Sequence, residues 1–127
     1  MLTHEQIAEA KKKTKYTSEI LHEHDDCIRI AYEWFDAQTK TKTINKNHMP
    51  RPLKHLIERW GGRYVSESDV QVAATLHPEI KGEYPYYNIS VKLTEPKRSR
   101  LLGITEAFTH DYNQRHDPSS YKKQEQE

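Results

Sequence analysis

Hydrophobic positions in this chain come in short bursts with helical spacing, separated by long polar stretches. The clearest burst follows Asp25. Cys27, Ile30, Ala31 and Trp34 recur at i, i+3, i+4 and i+7, and Ile28 and Phe35 widen the stripe. Asp25 is the predicted N-cap, Asp26 suits the positive helix start, and the helix is expected to end near Gln38. A second burst, Leu53, Leu56, Ile57 and Trp60, has the same spacing. Pro50 and Pro52 open it and Gly61-Gly62 close it. A third places Val70, Ala73, Ala74 and His77 on one face, with Leu76 beside them. Ser66 and Asp69 mark its start and Pro78 its end.

The flanks are weaker. Thr3-His4-Glu5-Gln6 has capping-box spacing, and the helix it predicts carries only Ile7, Ala10, Thr14 and Leu21 as a thin stripe. Such a helix belongs at the edge of the domain, with Lys11-Lys12-Lys13 facing water. Alternating threonine and lysine over 39–48 suits an edge strand or exposed loop. Residues 81–87 read as an aromatic turn. Residues 88–93 alternate, which predicts a strand with Ile89, Val91 and Leu93 inward. Leu101, Ile104, Ala107 and Phe108 predict a last helix from about Ser99 to Tyr112, weakened by Gly103. From Asn113 onward only Tyr121 is apolar, so a disordered polar tail is expected.

The predicted fold is mainly α with a small β-hairpin (α+β). The order of elements is that of a winged-helix or helix-turn-helix-like single domain over 20–112. Residues 1–19 would form a helical extension and 113–127 a tail.

Composition narrows the class. The chain has 127 residues, 34% apolar and 31% charged, with a mean hydropathy of -1.05, so its core must be modest. The single cysteine, Cys27, cannot form an internal disulfide, and no apolar run approaches the roughly 20 residues of a membrane span. A cytoplasmic location is expected. Charge is uneven: residues 40–101 carry 12 Lys/Arg against 6 Asp/Glu, residues 1–39 carry 5 against 8, and residues 102–127 carry 3 against 5. The basic middle suggests an anionic partner.

No catalytic motif is present. There is no Gly-rich phosphate loop, His-Glu-x-x-His or Gly-x-Ser-x-Gly. His22-Glu23-His24-Asp25-Asp26 has metal-ligand chemistry, but neighbours along a helix diverge, and further ligands such as His110 or His116 would be needed. His48 and His55 flank the proline-led helix, and His77 and Cys27 sit on apolar stripes. The expectation is therefore a binding protein without cofactor, and a metal-dependent enzyme is the remote alternative.

Double-stranded DNA is the leading expected partner. Lys40, Lys42, Lys46 and Arg51 would hold phosphates, with Lys54, Arg63 and Lys81 nearby. Lys92, Lys97, Arg98 and Arg100 lie around the last strand. On the 66–77 helix, Gln71 could read an adenine and Thr75 a thymine methyl, although Glu67 would repel phosphate and that helix has no Arg or Lys. The alternative is a protein-binding adaptor or inhibitor anchored by Tyr84, Tyr86 and Tyr87; these rings could also stack on unpaired bases.

Overall fold

In a computed structural model, the described residues are 1–47, 49 and 51–127. His48 and Pro50, named above as a helix flank and a helix start, lie outside them. Four helices form the body: α1 (His4–Lys13), α2 (Asp25–Asp36), α3 (Leu53–Gly61) and α4 (Glu67–Leu76). Two minimal sheets are added. β1 (Gly82–Glu83) and β2 (Tyr86–Tyr87) pair antiparallel, and β3 (Thr94–Glu95) and β4 (Lys123–Gln124) pair parallel. The fold is thus mainly α with some β, and none of these helices is long and apolar enough to cross a membrane.

Local chemistry explains the helix ends. Thr3 and Gln6 close the expected capping box on α1, and Ser66 and Asp69 do the same for α4. α3 stops at Gly62, whose φ of 64° is the left-handed cap that glycine accepts most readily. α2 is capped one residue earlier than expected. The His24 ring, not Asp25, accepts the Asp26 backbone N–H, which frees both carboxylates for the first turn.

The core centres on α2, where Cys27, Ile28, Ile30, Ala31, Trp34 and Phe35 are all fully buried. α4 packs most extensively on α2 and next on α1, while α3 packs on a 3-10 turn at Asp111–Arg115. Residues 1–19 are not an appendage, because Ile7 and Ala10 of α1 are buried in this same core.

Three expectations change. Residues 88–93 do not form a strand: only Ile89 bridges, to Lys40, and the Ser90 hydroxyl accepts the Lys92 N–H and bends the chain. Ile89 and Leu93 are buried as expected, but Val91 is exposed. The 99–112 helix is also absent. A 3-10 turn at Arg98–Leu101 ends before Gly103, whose φ is 84°, and Phe108 sits at 63°. Neither value is helical. The Phe108 and His110 N–H groups instead donate to Gly61 and Gly62, binding this segment to the end of α3.

The tail, finally, is folded onto the domain. Tyr121 is buried and accepts a hydrogen bond from the Trp34 indole at 2.9 Å. Arg100 then grips the Glu125 carboxylate through two N–H groups, at 2.6 and 2.7 Å.

Candidate functional site: a lysine-rimmed groove beside the tyrosine turn

Site geometry begins with the link between α1 and α2. Residues 14–22 cross α4 as a strap and occupy its polar side. Thr17 accepts from the Gln71 amide, Ser18 donates to Glu67, Ser68 bonds the backbone of Glu19 and Leu21, and Ser66 donates to the Leu21 carbonyl. His22 donates Nδ1 to the buried Asp69 carboxylate at 2.7 Å and meets the Tyr16 hydroxyl at 3.0 Å. The polar positions of α4, expected to face outward, are thereby mostly satisfied inside the protein.

One strip of α4 runs along the margin of the strap, where Gln71 bonds Thr17 and Thr75 bonds Thr14. Gln71, Ala74 and Thr75, at i, i+3 and i+4, share a face and help form the floor of a groove of about 840 Å³. Lys13, Thr14 and Lys15 bound one side, and the β1–β2 hairpin with Lys81, Tyr84, Tyr86 and Tyr87 bounds another. Ile44, Lys46, Ile80 and Glu83 also line it. Four lysines therefore face one carboxylate. None of the four pairs with a carboxylate among the described residues. Clustered cations without counter-charges create a positive potential that an anionic group relieves.

The tyrosines differ in depth. Tyr87 is buried edge-on against Phe35, and burial holds its hydroxyl well above the usual phenol range. Tyr84 is half-buried, and burial, assisted by the Glu67 charge, pushes it up to about 12. Only Tyr86 is exposed, at 43%. Tyr84 and Tyr86 also wall a second cavity of about 410 Å³ with Arg51, Pro52 and Leu53. The turn thus stands between two concavities.

The two residue sets treated as rivals in sequence converge here. Lys46, Gln71, Thr75 and Lys81 from one set share the groove with Tyr84, Tyr86 and Tyr87 from the other. The remaining basic positions are used differently. Lys40 donates to the Asp36 carbonyl at the end of α2. Lys42 is exposed outside the groove, and Arg51 lines the second cavity. Lys54 pairs with Glu58 at 3.0 Å and lies over the Tyr64 ring. Arg63 is buried between Glu23 and Glu106, each at 2.8 Å, and cannot hold a phosphate as expected. Nor can Gln71 read a base edge in a duplex groove, since it is 4% exposed beneath the strap. Lys13 and Lys15 were missed. They lie at and just beyond the end of a helix that seemed peripheral, and only the fold brings them opposite residues 81–87.

The acidic and imidazole groups are committed elsewhere. The residues of the 22–26 cluster go five ways: to Asp69, to Arg63, to the α2 cap, to His4 and to Arg29. His77 accepts the Glu79 N–H at Nδ1, which leaves Nε2 to donate to Asp36 at 2.8 Å, so neither nitrogen is a free base. Burial pushes the Cys27 thiol up to about 12, far from a reactive thiolate. Among the described residues, no group of three or more His, Cys, Asp or Glu is placed to hold a metal ion. No protein-family model, no curated protein and no solved structure matches this chain.

Proposed function

We propose that this chain is a non-enzymatic binding protein that grips an extended acidic segment of a protein partner in the lysine-rimmed groove. The observation that carries this reading is the convergence of Lys13, Lys15, Lys46 and Lys81, all exposed and without ion pairs, on a cleft walled by Tyr84 and Tyr86. A cavity of about 840 Å³ accommodates a few residues of extended chain. β1 pairs with β2 along one edge, and its other edge has no strand partner among the described residues. An extended segment can add there through main-chain hydrogen bonds. Carboxylates on its side chains then meet the lysines, and Tyr86 covers it with a rigid ring.

The same lysines support a second proposal, DNA binding through phosphates. Winged-helix docking requires an accessible recognition helix. α4 lies beneath the strap, so a duplex would meet only rim charges from Lys15, Lys46 and Lys81. Acidic peptide is the better fit to a concave site with a free strand edge.

Fluorescence anisotropy with a fluorescein-labelled hexaglutamate tests this. Binding is expected to weaken with salt, and the double variant Lys46→Glu/Lys81→Glu to lose about 2 kcal/mol, roughly 30-fold, at low ionic strength. Tyr86→Ala is expected to weaken binding as well. Unchanged affinity in the charge-reversed variant would remove the groove from consideration. Tighter binding of a DNA duplex than of the peptide, with the same lysine dependence, would favour the second proposal.

A further inference from the structure

Tyr84 and Tyr86 line two cavities at once, and the second differs in chemistry from the lysine groove. Among the described residues, its apolar lining comes from these two tyrosines with Met49, Pro52, Leu53 and Pro85. Its two charged members, Arg51 and Glu67, have opposite signs, and Ser18 of the strap donates to Glu67 at 3.1 Å. The second cavity therefore offers no excess charge to an anion, whereas its neighbour sets four lysines against one carboxylate. It is also open to solvent. Pro52, Pro85 and Tyr86 are exposed, while Leu53 is buried. This is apolar surface that folding has not covered.

Several of its groups favour an aromatic ring over an aliphatic chain. Tyrosine rings prefer a ring partner set offset or edge-on. A methionine thioether makes favourable contact with a ring edge, and an arginine guanidinium is attracted to a ring face. The charge of the adjoining groove says what carries that ring. A chain whose carboxylates meet Lys46 and Lys81 can cross the exposed Tyr86 and reach the second cavity within a few extended residues, at about 3.3 Å each.

We propose that the second cavity takes an aromatic side chain of the same acidic segment, a few residues from its carboxylates, so that a two-part ligand straddles the tyrosine turn. This rests on the peptide-binding reading above and adds an anchor to it. Contacts between exposed lysines and carboxylates are screened by salt and discriminate poorly among acidic chains. A ring buried between Tyr86 and Met49 depends little on salt and selects one kind of acidic chain.

The experiment measures anisotropy on the full-length chain with fluorescein-labelled hexaglutamate extended through Gly-Gly by Phe, Leu or Ala, at either end. In one of the two orders, the Phe probe is expected to bind about 10-fold more tightly than the Ala probe. It should also bind about 3-fold more tightly than the Leu probe. The Phe-to-Ala ratio should persist as salt weakens both, and it should persist in Lys46→Glu/Lys81→Glu, which weakens all probes alike. Met49 lines the second cavity and not the groove. Met49→Gln keeps its length and removes the thioether, and is expected to cut the ratio at least threefold while leaving affinity for the Ala probe unchanged. Arg51→Gln, at an exposed position, should cut it as well and provides the same test should Met49→Gln lower the thermal midpoint by more than a few degrees.

If Phe and Ala probes bind equally in both orders, the anchor falls and the lysine-groove reading stands. Equal gains from Phe and Leu would overturn the aromatic assignment. A Phe preference untouched by both Met49→Gln and Arg51→Gln would place the ring elsewhere and overturn the cavity. If no probe binds wild type, both readings fall together.

Discussion

Replacing Tyr121 tests whether the last fifteen residues belong to the folded body. The side chain is 8% exposed, and its hydroxyl accepts the indole N–H of the fully buried Trp34 at 2.9 Å. Tyr121→Phe keeps the ring and strands that N–H, at a cost of about 1–3 kcal/mol. Tyr121→Ala also removes the packed ring and leaves a cavity beside Trp34, for a total of about 3–5 kcal/mol. Just beyond it, Lys122 and Lys123 donate their backbone N–H groups to the Leu93 carbonyl, and β4 pairs with β3. Loss of the anchor should therefore loosen this strand as well. Urea denaturation followed by tryptophan fluorescence reads both effects. Phe should shift the midpoint at constant slope, and Ala should shift it further with a shallower slope, because less surface remains to expose. An Ala variant within about 0.5 kcal/mol of wild type would refute docking of the tail.

The Arg100 clamp makes stability pH-dependent. Hydrogen bonds from Arg100 hold Glu125 below its ordinary value of 4.5. Burial would raise Asp36 above its ordinary 3.8, but hydrogen bonds from His77 and Arg100 bring it below. Carboxylates depressed in the folded state contribute stability above their unfolded values and lose it as pH falls through the folded ones. Arg100→Met should thus destabilise most near pH 7 and least near pH 3 in urea titrations, and an equal cost at both would contradict the clamp. Cys27, buried and with its thiol pushed up to about 12, should resist an aromatic disulfide reagent in the native protein and react at one thiol per chain in urea. Rapid native labelling would show that the α2 core opens.

What the sequence made legible follows from how local each signal is. Capping boxes at Thr3 and Ser66, the glycine stop at Gly62 and the apolar stripes of α2 and α3 act within one or two turns, and all appear in the structure. The 99–112 periodicity misled because backbone geometry overrode it. Gly103 and Phe108 take positive φ, and the chain's hydrogen bonds go to the end of α3. The tail misled because one aromatic and one bidentate ion pair secure it, and both partners, Trp34 and Arg100, lie far upstream. The groove was half legible. Lys46, Lys81 and the tyrosines stood out by residue type. The burial of Gln71 and the approach of Lys13 and Lys15 depend on a polar strap with no periodicity to announce it.

The most direct measurement is amide chemical-shift mapping by NMR of the ¹⁵N-labelled chain titrated with hexaglutamate. Perturbations should concentrate at residues 13–17, 71–75 and 81–87, together with Lys46, and should disappear in Lys46→Glu/Lys81→Glu. Shifts centred instead on Lys92, Lys97 and Arg98, or a spectrum unmoved by millimolar peptide, would contradict an acidic segment seated between the strap and the tyrosine turn.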